Sequence, residues 1–74
     1  MGEGIKDVRI FTATIALHQF LKWSQVVASG GEAKQLIQRK MVLVNGEYEE
    51  RRSRRLKVGD IVEVKGLGRF CLRN

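Results

Sequence analysis

Between Ser29 and Gly46 the chain spells out a helix start, a helix, a strand and a hairpin turn in unbroken succession, and this run limits the fold more than any other part. Ser29-Gly30-Gly31-Glu32 has the spacing of a capping box, in which the Ser29 hydroxyl accepts from the Glu32 amide and the Glu32 side chain reaches back to the Ser29 amide. Ala33, Leu36, Ile37 and Met41 follow at helical spacing and form the face to be buried. Lys34, Gln35, Gln38 and Arg39 fall outside it, and Lys40 lies near the C-terminal end, where the helix dipole favours a cation. Val42-Leu43-Val44 reads as a strand. Asn45-Gly46 predicts a hairpin, because both residues tolerate positive φ. A helix that gives way at once to a hairpin belongs to an α+β domain, with helices packed on a small, mostly antiparallel sheet.

The flanks extend this pattern. Val8 and Ile10 alternate with Asp7 and Arg9, a half-buried strand over residues 5–11. Leu17, Phe20 and Leu21 stand at i, i+3 and i+4, which predicts a helix from about Thr14 to Trp23, and Val26-Val27 forms an apolar connector. After the hairpin, Tyr48 and Glu49 begin the return strand. The run Arg51 to Arg55 is too charged for a core and reads as a loop. Leu56 to Asp60 makes a tight turn into the strand Ile61 to Val64, and Gly66-Leu67-Gly68 reverses the chain into a last strand, Arg69 to Leu72. The expected order is β-α-α-β-β-β in one domain, 1–74. A chain of 74 residues has room for one core only; it buries about 60% of its unfolded surface and holds on the order of a few kcal/mol of stability. The 43% hydrophobic content nonetheless marks a folded globule.

Charge points to the partner class. The chain has 14 basic against 8 acidic residues, a formal net charge of +6. Lys34, Arg39, Lys40, Arg51, Arg52, Arg54, Arg55 and Lys57 face only Glu47, Glu49 and Glu50 in the same segment, so a net +5 is concentrated in one third of the chain. A local excess of this kind suits a polyanion. The planar fork of arginine donates two parallel hydrogen bonds to phosphate, and glutamine adds amide donors for phosphate or 2′-hydroxyl groups. Beyond Glu32 the helix face has no glutamate to pair its cations. The three carboxylates among the arginines read as solvated salt-bridge partners. Trp23 and Tyr48 read as core or rim residues, so no row of aromatics is present to read a single strand, and folded RNA is the better match.

Other chemistries find little support. His18 has no recognisable nucleophile partner. The lone Cys71 excludes an internal disulfide and reads as a small apolar residue of the last strand, and no metal-ligand spacing occurs. Gly66 and Gly68 are not followed by a helix, so they form no nucleotide cradle. No catalytic residue, cofactor, metal or small-molecule substrate is expected. The N-terminus lacks a long apolar segment, and Lys6 stands where a myristoylation signal after Met1-Gly2 needs Ser or Thr. These features suit a monomer in a reducing cytoplasm, away from membranes. The rival readings are an adaptor whose basic face grips an acidic protein, a weaker membrane-surface role, and binding of double-stranded DNA through phosphates alone.

Four segments carry a resemblance: Ile15 to Lys22, Ser29 to Ile37, Val42-Leu43-Val44-Asn45-Gly46, and Leu56 to Val64. Together they look like the RNA-binding domain first named for the ribosomal small-subunit protein S-four, also called the alpha-L motif, with the motif at about 15–64. The segments Gly30 to Lys34 and Arg51 to Arg55 are similar to a bacterial subgroup in which the domain stands alone. The resemblance implies contacts to structured RNA, with ribosomal RNA or a ribosome precursor as the expected target, at Ser29, Gly30, Lys34, Gln35, Gln38, Arg39, Lys40 and around Asn45. Arg51, Arg52, Arg54 and Arg55 supply charge that many relatives place elsewhere. Many relatives have Arg where this chain has Gly30. Others have Gly near Lys40, which implies a different helix end here.

Overall fold

Period-two alternation of β-branched residues builds the centre of the molecule. Val42 and Val44 share one face of their strand, Val62 and Val64 share one face of theirs, and all four are buried. The computed structural model describes residues 4–74; the reading made at Met1 and Gly2 lies outside them. The elements in chain order are β1 (Ile5–Arg9), β2 (Thr14–Ala16), α1 (Leu17–Trp23), α2 (Gly30–Gln38), β3 (Val42–Val44), β4 (Glu47–Tyr48), β5 (Arg55–Lys57), β6 (Ile61–Val64) and β7 (Gly68–Arg73). They form a small α+β domain.

A five-stranded sheet runs in the order β1-β7-β6-β3-β4, and β2 pairs with β5 in a separate two-stranded ribbon. Every pairing is antiparallel except β1 with β7. Leu17, Phe20 and Leu21 of α1 and Ala33 and Ile37 of α2 join Val42, Val44, Val62, Val64, Phe70 and Leu72 in one apolar core. Cys71 is buried in β7, as its alternation with Phe70 and Leu72 suggested.

Several boundaries differ from the sequence reading. Strand β1 stops at Arg9, so Ile10 enters the core and Phe11 is exposed. The first helix begins at Leu17 rather than Thr14, because Thr14 and Ile15, both β-branched, pair with Lys57 and Leu56 instead. Arg55 likewise belongs to β5 and not to a loop. Met41 is half-buried and lies beyond α2, which ends at Gln38.

Helix α2 ends in a Schellman motif. The Lys40 amide donates to the Ile37 carbonyl and the Met41 amide to the Leu36 carbonyl, both at 3.1 Å. Lys40 adopts φ 58°, the left-handed geometry that glycine takes at least cost. With lysine rather than glycine at position 40, this helix end carries local strain. At the other end the Ser29 hydroxyl accepts from the Glu32 amide at 3.2 Å. The Glu32 carboxylate reaches one residue further back than expected, to the Ala28 amide at 2.7 Å.

Candidate nucleic-acid interface

The arginine segment is a fixed structure built around a buried acid. Glu49 is only 6% exposed, which corrects its reading as a solvated partner; Glu47 and Glu50 are exposed. One Glu49 oxygen accepts from the Arg51 backbone amide at 3.0 Å and from Arg51 Nε at 3.1 Å. The other accepts from Arg51 Nη2 at 3.4 Å and from Arg54 Nη1 at 2.8 Å. The Arg51 guanidinium, joined by Arg54 and the Arg51 amide, outweighs the cost of burial and holds the Glu49 pKa at about 2, down from its ordinary 4.5.

Helix α1 anchors the same segment from the other side. The first amides of a helix have no partner within it. Here the Leu17 amide donates to the Arg54 carbonyl at 2.8 Å, and the His18 amide donates to the Arg52 carbonyl at 3.0 Å. His18 Nδ1 also lies 2.8 Å from the Arg52 carbonyl, which can only accept, so this nitrogen carries the proton. His18 is thus a bracket between α1 and the arginine segment.

The hairpin is braced by a second buried acid. Asn45 takes φ 53° and Gly46 φ 88°, as the turn requires. The Asn45 side-chain amide donates to Asp60 at 3.2 Å, and its carbonyl accepts from the Ile61 amide at 3.0 Å. Asp60 also accepts from the Lys57 amide at 2.9 Å. Burial pushes the Asp60 pKa upward, but the Lys57 amide, the Asn45 amide and the Lys57 charge together prevail and lower it.

These supports sort the candidate residues into groups. Lys34, Ile37 and Gln38 of α2 line a cleft of about 350 Å³ together with Glu50, Arg51, Arg52 and Ser53. Gln35 and Arg39 turn toward a second shallow groove with Val26, Val27, Glu32, Leu36 and Leu67. Ser29 and Gly30 stand exposed at the start of α2, and Lys40 is exposed past its end. Arg55 lines a separate groove beside Trp23. Asn45 is exposed, with its side chain tied to Asp60 and to the Ile61 amide. Arg51 and Arg54 are bound to Glu49, whereas Lys34, Arg39, Arg52 and Arg55 carry no ion pair to any described residue.

Sequence reasoning missed Glu49 and His18. The signal for Glu49 was available, since an acid with arginines two and five positions later can reach both across a turn. His18 gave none, because its partner is a backbone carbonyl 34 residues away. Among the described residues no three of His, Cys, Asp and Glu come together as a metal would require, and no described helix is long and apolar enough to cross a membrane.

Known proteins share this architecture. A solved structure of the 30S ribosomal protein S4e from Thermoplasma acidophilum superposes with a TM-score of 0.56 over 76% of this chain, at 18% identity. The match spans 30% of that longer chain and concerns the fold alone. The probable ribosome maturation protein RlbA of Bacillus subtilis (strain 168) is 48% identical over 67 residues, covering 90% of this chain and 94% of that protein. The S4 domain model matches residues 8–68, most of the chain including both helices and the hairpin, and the protein belongs to the S4 domain family.

Proposed function

We propose that this protein binds structured RNA without catalysis, through the cleft shared by α2 and the arginine segment, and that its target is ribosomal RNA or a ribosome precursor in the bacterial cytoplasm. The observation that carries the reading is the meeting of Lys34 and Gln38 with Arg51 and Arg52 across that cleft. Cations from two elements flank one depression, a geometry that suits a ridge of phosphates. The choice of ribosomal RNA leans on membership of the S4 domain family and on the name of the Bacillus subtilis relative.

The contact is mainly electrostatic. Neutralising about four to six phosphates gives a slope of log K against log salt near −3 to −5. Titrating a ribosomal RNA hairpin at several salt concentrations measures it. Lys34→Ala and Arg52→Ala should each weaken binding by roughly three- to tenfold and make the slope shallower. A slope near zero, or full affinity in the double variant, would overturn the assignment. Equal affinity for an acidic peptide would replace RNA by a protein partner.

A further inference from the structure

Phe11 and Trp23 are 75% and 49% exposed, and they lie together. Their ring centroids are 6.0 Å apart and their planes cross at 85°, an edge-to-face contact. Trp23 Nε1 donates to the Arg9 carbonyl at 2.6 Å. The indole is therefore held in place by a hydrogen bond and a neighbouring ring, yet half of it is left open to solvent. Trp23 lies outside the apolar cluster, so core packing does not account for its placement.

Trp23 lines a groove of about 580 Å³, whose walls include Thr14, Ile15 and Gln19. That volume is ample for a nucleobase. Gln19 uses its carbonyl oxygen to accept from the Ala16 amide at 3.3 Å, which leaves its NH2 group to donate. Two cations, Lys22 and Arg55, also line the groove, and no carboxylate does. Neither cation has an ion pair to any described residue. Arg55 follows Arg54 directly, so the groove adjoins the arginine segment through the chain itself.

We propose that this groove takes up one unpaired base of the bound RNA, stacked on Trp23, with Lys22 and Arg55 at its phosphates and the Gln19 amide toward its edge. The proposal rests on the RNA reading above and adds to it a preference for a bulged or looped-out nucleotide. A fixed, half-exposed aromatic ring in a groove lined by two cations and no acid is the chemistry that single unstacked bases require. An acidic peptide would be served by the cations but would leave the indole unused.

Trp23 is the only tryptophan, so its fluorescence reports on this groove alone. The experiment compares a blunt RNA duplex with the same duplex carrying one bulged adenosine. The bulged duplex should bind about tenfold more tightly, a typical value for one stacked base, and should quench Trp23. Phe11→Ala and Trp23→Leu should bring the two affinities together while leaving blunt-duplex binding within about twofold. Should Trp23→Leu fail to fold by circular dichroism, Phe11→Ala and Lys22→Ala, both at exposed positions, carry the comparison. Equal affinity of the parent for both duplexes, unchanged fluorescence on binding the bulge, or a preference that survives these substitutions would overturn the groove while leaving the RNA cleft intact. Failure of the parent to bind either duplex would overturn both.

Discussion

Replacing Glu49 with glutamine isolates the support of the arginine segment, because shape is kept while the charge is lost and one acceptor oxygen becomes an NH2 donor. The carboxylate accepts four hydrogen bonds, three of them from guanidinium groups and one from a backbone amide. Its pKa falls from 4.5 to about 2 on folding. At roughly 1.4 kcal/mol per unit the full shift would be worth about 3 kcal/mol. Arg51 is 74% exposed, so water screens much of its share, and about 1–2 kcal/mol is the expected net effect. For a domain of this size that lowers Tm by roughly 5–15 °C at pH 7. The sign follows from the direction of the shift. A carboxylate with a depressed folded pKa stabilises the fold above its unfolded pKa, and that stability drains away as pH falls toward the folded value. Thermal melts by circular dichroism at steps from pH 6 to pH 2 should therefore show Glu49→Gln well below the parent at pH 6. The gap should narrow below about pH 4.5 and nearly close at pH 2. A gap that stays constant across this range, or parent and variant melting together at pH 6, would refute the role of Glu49 as a charged clip.

The same variant carries a second test: if arginine placement matters more than charge count, Glu49→Gln should weaken binding of a ribosomal RNA hairpin at pH 7, although it makes the protein more positive by one charge. Lys40→Gly should raise stability by about 0.5–1 kcal/mol in urea melts, since it relieves a left-handed lysine at φ 58°; unchanged stability would argue against that helix end. Gly46→Val should lower both Tm and RNA affinity, because φ 88° is costly for a β-branched residue. Asn45→Ala should cost about 1–3 kcal/mol by leaving the buried Asp60 short of a donor; lost RNA affinity with parent-like melting would instead make Asn45 a direct contact.

Local signals carried most of the architecture. The Ser29 cap, the spacing of Ala33 and Ile37 and the Asn45-Gly46 turn each act within a few residues, and each is present where the sequence puts it. The errors lie where a distant partner decides. Thr14 and Ile15 sit before a strong helical pattern that takes them in by sequence spacing alone, yet β5, about forty residues on, pulls them into a ribbon. At Arg55 the local charge outweighs the strand signal of a single Leu56 and points to a loop. Its backbone pairs with Ala16 while its side chain stays in solvent, a combination an edge strand permits. The candidate site was legible as a composition and not as a geometry. Lys34, Gln35, Gln38 and Arg39 occupy adjacent positions on one helix face, and only the folded chain separates Lys34 and Gln38, beside the arginines, from Gln35 and Arg39, beside Val26 and Leu67.

The acids also take a different meaning once folded. Counted along the sequence, Glu49 and Asp60 dilute the positive charge. In the structure both are buried, and each organises a segment that presents cations or a turn. Glu49 fixes the backbone at Arg51 and gathers Arg54, while the α1 amides take the Arg52 and Arg54 carbonyls. The segment is thus tied at both ends, and Arg52 projects from it with no ion pair to any described residue. A segment already ordered loses less conformational freedom on binding, so a domain with little core to spare can hold its cations in position before RNA arrives. This account ranks the arginines. Arg52 should act chiefly on affinity and little on stability, Arg54 on both, because its guanidinium is a 2.8 Å partner of the buried carboxylate. Arg52→Ala and Arg54→Ala, each measured by melting and by RNA titration, separate the two roles. Equal loss of stability in both variants would mean that the segment is held by something other than Glu49.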